Sequence, residues 1–360
     1  MSKNIESHLS EDREFKPSKE FSKKARISSM SQYKRMHKES VEKPHVFWAR
    51  EAKELQWSKK WGKVLDWKAP YAKWFVGGKT NVCVNCVDRH VDEGRGNKAA
   101  FLWEGEPGDK RTITYSQLKR EVSRFANVLE ANGVKSKDRV LIYMPMVPEA
   151  SIAMLACARI GAVHSIVFGG FSAESIKDRL DDSEASCVIT ADGGWRRGSV
   201  IDLKSNVDEA LKRDKFVKKV IVLKRTDNKV KMKRGRDVWW HDETAKVPGT
   251  HKPKFFDSEH PLFILYTSGS TGAPKGIVHT TAGYMVWSAY TFANVFQCVP
   301  GHVHFCTADI GWITGHSYIV YGPLLLGSTT VMFEGIPTHP TPNRFWEIVE
   351  KHKVVCRRLI

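Results

Sequence analysis

Residues 266 to 276, YTSGSTGAPKG, place three glycines, two threonines and two serines in one short loop, with a single lysine between Pro274 and Gly276. The plainest reading is a flexible surface turn. The chemical reading is a cradle for phosphate oxygens. Gly269, Gly272 and Gly276 let the backbone approach an anion, and the hydroxyls of Thr267, Ser268, Ser270 and Thr271 donate to its oxygens. Lys275 adds a full charge at the rim. If the loop joins a strand to a helix, the helix N-terminus adds partial positive charge. A Walker loop requires GxxxxGK[ST], and Lys275 stands outside that spacing, so a P-loop phosphotransferase is disfavoured.

Other chemistry-bearing patterns are weaker. Cys83 and Cys86 form a lone CxxC in NVCVNCVDRH, without the second pair or histidine pair that a zinc site needs. Seven cysteines scattered over 360 residues give no disulfide framework. The formal charge of +17 invites a nucleic-acid reading, but residues 1–65 and 204–254 supply +7 and +9 of it. Neither segment has a zinc-finger spacing, an RNP-type strand or a helix-turn-helix pattern, so solvated faces and a basic approach to anionic substrates are expected instead. No nucleic-acid partner and no membrane partner are expected. SIAMLACARIGAVHSIVFGG is broken by Arg159 and His164, which makes it core rather than a membrane span. The charged start MSKNIESHLSEDREFK lacks the apolar core of a signal peptide, so a soluble cytoplasmic protein is expected.

The elements that must position these residues alternate in type. TYSQLKREVSRFANVLEANG reads as a helix ending near Gly133, RVLIYMP as a strand, and VPEASIAMLACARIGA as a helix ending on Gly161. VHSIVFGG and SCVITADGG read as strands, separated by the Ser-capped helix SAESIKDRLDDS. Such alternation implies parallel crossovers and a doubly wound α/β sheet. In those sheets ligands bind at the carboxyl ends of the strands, which groups FGGFS, TADGGWRRG and YTSGSTGAPKG as one candidate crevice. The recurring Trp and Phe among charges before residue 90 fit helices packed onto the larger body.

Taken together, YTSGSTGAPKG with the following IVHTTAGY, NVCVNCVDRH, the long VLIYMPMVPEASIAMLACARIGAVHSIVFGGFSAESIKDRL, ADIGWITGHSYIVYGPL and MFEGIP resemble, in the same order, the adenylate-forming AMP-binding ligases. Within them the match is to the acetyl-CoA synthetase family, over residues 32 to 354. The resemblance implies an α/β fold: the large N-terminal domain of the adenylate-forming ligases, with doubly wound mixed and parallel sheets and flanking helices, incomplete at the C-terminus. It implies an AMP-forming acyl-CoA ligase with acetate, ATP and coenzyme A as substrates, Mg2+ as cofactor and an acetyl-adenylate intermediate. By family motif, Thr267, Ser268, Gly269, Ser270, Thr271, Gly272 and Lys275 would hold the ATP phosphates. GWITG resembles a strand and turn that would border a small acyl pocket with Trp312, Ile313 and Thr314. DGGWRRGSVIDLK would place Arg196, Arg197, Gly198 and Ser199, together with Thr314 and Thr338, on coenzyme A. Ser199 stands where many members carry a basic residue, and Thr338 where they carry Asn.

The resemblance divides the chain into a disordered arm over 1–30, a family-type helical segment over 31–90, an AMP-binding domain over 91–354, and an aberrant tail over 355–360. Members of the family continue with adenine and ribose contacts, a Mg2+-associated acidic motif and a small domain carrying the catalytic lysine. No catalytic or metal-binding residue is therefore assigned in this sequence, and an N-terminal fragment of doubtful activity with unpaired sheet edges is expected. A noncatalytic nucleotide-binding or interaction module derived from such a ligase is the alternative.

Overall fold

The computed structural model describes residues 14–267, 274–298 and 301–358. Within the segment expected as an arm, α1 (Lys19–Lys24) is helical and buries no residue; residues 1–13 lie outside the described residues. α2 (Met30–Glu42) and α3 (Pro44–Ala52) follow, then a hairpin of β1 (Lys63–Lys68) and β2 (Tyr71–Val76), then β3 (Lys79–Thr80). Several aromatic residues of this segment are packing anchors. Phe47 and Trp48 each meet Tyr290 edge-on at 5.4 Å, and Trp57, Trp61 and Phe75 form a second cluster.

The body begins with β4 (Ala99–Glu104), β5 (Lys110–Thr114) and α4 (Tyr115–Ala131). Thr114 opens α4 with a capping box: its Oγ1 accepts from Gln117 N at 3.2 Å while Gln117 Oε1 accepts from Thr114 N at 2.8 Å. Two otherwise orphaned donors are satisfied at once, a device contributing about 1 kcal/mol. Next come β6 (Arg139–Tyr143), α5 (Pro148–Ile160), β7 (Val163–Ile166), α6 (Ala173–Ser183) and β8 (Cys187–Ala191). α5 starts with Pro148 and stops at Gly161, whose φ of 79° is the left-handed conformation of a C-cap; a Cβ there would meet the Phe256 ring at 2.4 Å. Nearly every α5 side chain is buried, as expected of a helix apolar all round.

A tight hairpin, β9 (Gly193–Arg196) and β10 (Ser199–Asp202), precedes α7 (Leu203–Ala210), β11 (Lys219–Leu223), β12 (Asp237–Trp239), α8 (Trp240–Ala245) and β13 (Phe256–Asp257). Then follow β14 (Pro261–Thr267), β15 (Lys275–Thr280), α9 (Thr281–Val295) and β16 (Val303–Cys306). α10 (Ile313–Gly315) runs through wide turns at His316–Tyr321 into α11 (Gly322–Leu325), and β17 (Thr329–Phe333), α12 (Arg344–Lys351) and β18 (Cys356–Arg358) complete the order.

The larger sheet is ordered β12-β11-β8-β6-β7-β14-β15, parallel except for β15. Alternate residues of one strand serve opposite faces: Val140 and Ile142 of β6 join the core beneath α4 and α5, while Leu141 and Tyr143 pack toward α6 and α7. Both faces are thus covered, which makes the sheet doubly wound, as the alternation of elements implies. The smaller sheet is ordered β18-β16-β17-β4-β5, again parallel except for its last strand.

Two local expectations are corrected. The Gly-rich loop joins two antiparallel strands, with Thr267 opposite Lys275, rather than a strand and a helix. α9 begins only after the whole of β15, so its N-terminal dipole lies a strand's length from the loop. GWITG is the entry to the helical run α10–α11 rather than a strand and turn, with Trp312 in extended conformation just before it. Residues 356–358, within the expected aberrant tail, pair in parallel with β16 and give its edge backbone groups partners.

Candidate functional site

The carboxyl ends of β7, β8, β14, β16 and β17 carry the loops that the sequence singles out. At the end of β14, Thr267 and Lys275 face one another across the hairpin, both exposed. Ser268, Gly269, Ser270, Thr271 and Gly272 lie outside the described residues. The strand beneath them is held firmly. The Tyr266 hydroxyl donates to Asp182 Oδ2 at 2.5 Å, and the Arg179 guanidinium lies 5.4 Å from the Tyr266 ring and 5.1 Å from the Phe171 ring. Burial and the Asp182 carboxylate both push the Tyr266 hydroxyl well above its ordinary pKa, so it stays a donor.

The three residues expected at an acyl pocket separate. Ile313 lines an apolar cavity of about 530 Å³ whose other walls include Trp48, Trp74, His279, Thr280 and Trp287. Trp312 is not in that wall. Its indole sits 6.3 Å from both Phe168 and Phe171, half exposed, on the side of Arg196, whose guanidinium lies over the same Phe168 ring. Thr314 is half-buried in α10.

The residues expected on coenzyme A converge better. Arg196 lies 5.2 Å from the Phe168 ring and lines two small adjoining cavities of about 50 and 150 Å³. Gly169 and Gly170 from the β7 loop, Asp309 from the β16 loop, and Gly335, Ile336 and Pro337 beyond β17 complete their walls. Arg197 and Gly198 form the two-residue turn between β9 and β10, with φ of 56° and 72°, and Ser199 pairs back to Arg196. A type I′ turn needs two positive φ values, a cost of roughly 1–2 kcal/mol for a non-glycine residue such as Arg197. A Cβ on Gly198 would stand 2.9 Å from the His339 ring, so the turn abuts the loop that carries the exposed Thr338. Thus Arg196, Arg197, Gly198, Ser199 and Thr338 come together, whereas Thr314 lines neither cavity.

Four acidic residues at this place were not singled out in the sequence. Asp192 Oδ1 accepts from the N–H groups of Gly193, Arg225 and Thr226. Glu334 accepts from Trp195 N at 3.2 Å and from Arg225 Nε at 2.9 Å. Buried Glu106 accepts from Arg197 N at 3.1 Å, Gly198 N at 2.7 Å and Ile336 N at 3.3 Å. Asp309 accepts from Gly311 N at 2.7 Å; desolvation pushes its carboxyl up to about 6, against the opposing pull of that N–H and of Arg196. Only Glu334 had a signal available: FEGIP at 333–337 repeats the pattern of WEGEP at 103–107, at the ends of two neighbouring strands.

Cys83 and Cys86 are buried, and desolvation raises both thiols, Cys83 to about 12, so they are neutral packing groups at ordinary pH. Among the described residues no group of three or more His, Cys, Asp or Glu converges as a metal cage. No helix among them is long and apolar enough to cross a membrane.

Comparison with known sequences finds relatives over almost the whole chain. The pattern of AMP-binding enzymes matches residues 87–356, and that of the acetyl-coenzyme A synthetase N-terminus matches residues 33–86. The chain is 54% identical over 353 residues to an acetyl-coenzyme A synthetase of Chlorobaculum tepidum, covering 98% of this chain and 54% of that relative. It is 55% identical over 357 residues to one of Rhodopirellula baltica (97% and 53%), and 53% identical over 351 residues to one of Deinococcus radiodurans (97% and 54%). The chain spans about half the length of the curated relatives it matches.

Proposed function

Since the chain belongs to the AMP-binding enzyme family, we propose that it provides the nucleotide and coenzyme A crevice of an AMP-forming acetate–CoA ligase. In this reading a carboxylate oxygen of acetate attacks the α-phosphorus of ATP, and the bond to pyrophosphate breaks. The coenzyme A sulfur, having lost its proton, then attacks the acyl carbon and AMP departs. Such steps ask for positioning and charge neutralisation rather than a protein nucleophile. Thr267 and Lys275, with the intervening loop, take the phosphates, and Arg196 and Arg197 take the phosphates of coenzyme A. Mg2+ neutralises phosphate charge in this chemistry; no described residue is assigned to it. Ile313 and Trp312, on separate sides of the α10 entry, bound the path between the two halves of the crevice. Residues 31–90 act as a packing collar for the AMP-binding body over 91–354, and a cytoplasmic location fits substrates of this kind.

The observation that carries the reading is the convergence of Arg196 with the β7, β16 and β17 loops on adjoining cavities at the carboxyl ends of the strands. The test is calorimetric titration of the chain with ATP plus Mg2+ and with coenzyme A, followed by acetate-dependent exchange of labelled pyrophosphate into ATP. Binding of both ligands is expected. Failure to bind either one overturns the reading, and binding without exchange marks a noncatalytic binding module.

A further inference from the structure

The turn that joins β9 to β10 has an unusual internal partner. Two successive residues with positive φ point their N–H groups toward one spot, and such paired donors ordinarily form a small anion-binding concavity. In this molecule the concavity is already filled. Glu106 puts one carboxylate oxygen on Gly198 N and the other on Arg197 N, and that second oxygen also accepts from Ile336 N. Glu106 is itself buried, and Gly335 must lack a side chain because a Cβ there would stand 2.8 Å from Glu106 Oε2. One carboxylate therefore ties the turn to the loop after β17. Glu334, one residue before that glycine, ties Trp195 N on the same hairpin to Arg225.

Two consequences follow from this geometry. The backbone donors of the turn are spent inside the protein, so an incoming phosphate must be met by the side chains of Arg196 and Arg197. The hairpin's pose is also set from outside itself, by carboxylates whose sequence positions are about ninety and one hundred and forty residues away. Backbone strain at a non-glycine residue persists only where surrounding structure holds it in place, and it gathers at functional sites. Arg197 is such a residue.

We propose that Glu106 is a positioning residue for coenzyme recognition: it occupies the backbone anion site of the Arg197–Gly198 turn and fixes the hairpin so that the two arginine side chains receive the ligand's phosphates. This rests on the reading that the hairpin binds coenzyme A, and it adds the group that decides how. An amide in place of the carboxylate offers a donor to a backbone donor, so at least one of the three hydrogen bonds is lost and the turn is released.

The experiment titrates the chain with coenzyme A and with 3′-dephospho-coenzyme A and takes the ratio of affinities, alongside thermal unfolding. The unaltered chain is expected to prefer coenzyme A. Glu106→Gln is expected to lower that preference about tenfold, and Glu106→Asp to restore part of it. Arg197→Gly, which relieves the strained backbone, is expected to raise the unfolding temperature and still lose preference. Equal losses for both ligands in Glu106→Gln, meaning a purely structural role, would overturn the proposal, as would an unchanged ratio. Should Glu106→Gln not fold, an Arg197→Gly chain that keeps the full ratio overturns it as well. If the unaltered chain shows no preference and Arg196→Ala changes nothing, it is the coenzyme reading itself that fails.

Discussion

The Tyr266 hydroxyl and the Asp182 carboxylate meet at 2.5 Å, joining the end of β14 to the C-terminal turn of α6 immediately before the Gly-rich loop. The loop's first anchor is therefore braced by the helix that follows FGGFS, the loop next to it in the crevice. Removing the hydroxyl breaks a hydrogen bond to a charged acceptor, worth about 1.5–3 kcal/mol. Tyr266→Phe is expected to lower the urea midpoint accordingly and to weaken ATP binding about tenfold, a loss of ~1.4 kcal/mol. Unchanged nucleotide affinity by calorimetry would show that the brace does not reach the loop.

Arg159 and Asp88 form a bidentate pair of 2.7 and 3.1 Å in the interior, with His251 O a further acceptor at 2.6 Å. Burial opposes the Arg159 charge, but the Asp88 carboxylate, by hydrogen bonding and by its charge, restores it. Asp88→Asn leaves the buried Arg159 charge without its carboxylate, and Arg159→Met leaves Asp88 with Lys119 at 3.6 Å as its remaining cation; the first is expected to cost about 3–5 kcal/mol and the second less. The double variant is expected to cost less than the two added together, which chemical denaturation of all four proteins would check.

Glu104 ends β4 fully buried, with Arg344 Nη2 at 2.7 Å, His352 Nε2 at 2.6 Å and the Lys351 ammonium on the same carboxylate. Desolvation alone would raise its pKa, yet the hydrogen bonds from Lys351, Arg344 and His352 bring it down to about 2. Because its folded pKa lies below that of a free glutamate, the unfolded chain binds more protons between the two values. The contribution is fully present above about pH 4.5 and disappears as pH falls toward 2. Glu104→Gln is expected to flatten the acid limb of stability across that window, measured as urea midpoints from pH 2 to 6.

Thr267 and Lys275 face each other across the mouth of the hairpin. Thr267→Ala removes one donor and Lys275→Ala one full charge, so each is expected to weaken binding of ATP with Mg2+ by about five- to tenfold, near ~1 kcal/mol apiece. Neither position is buried, so thermal stability should stay within about 0.5 kcal/mol of the parent. Chelating Mg2+ is expected to weaken ATP binding in the parent and in both variants.

Much of the fold is legible in the sequence because its signals are local. Ser172 caps α6 and Gly161 closes α5, each at the expected residue. The direction of β15 is not legible. An apolar run after a loop looks the same whether it pairs parallel, pairs antiparallel or belongs to a helix, and only the partner strand decides. The helical run through Gly315, Gly322 and Pro323 was hidden for a related reason: residues that break an isolated helix are tolerated where buried neighbours hold it, as around Tyr318 to Leu325. The arginine turn was visible in outline. Its partner Glu106 was not, since one acid in a loop carries no sign of the turn it meets far along the chain.

The reversal of β15 has an electrical consequence. With α9 starting about 20 Å from the hairpin mouth, roughly six extended residues away, the fixed dipole of that helix adds little to drawing in a triphosphate. The described attraction resides in the exposed ammonium of Lys275, which counterions screen over about 8 Å at physiological ionic strength. Nucleotide capture should therefore slow as salt rises, with the lysine variant the less sensitive of the pair.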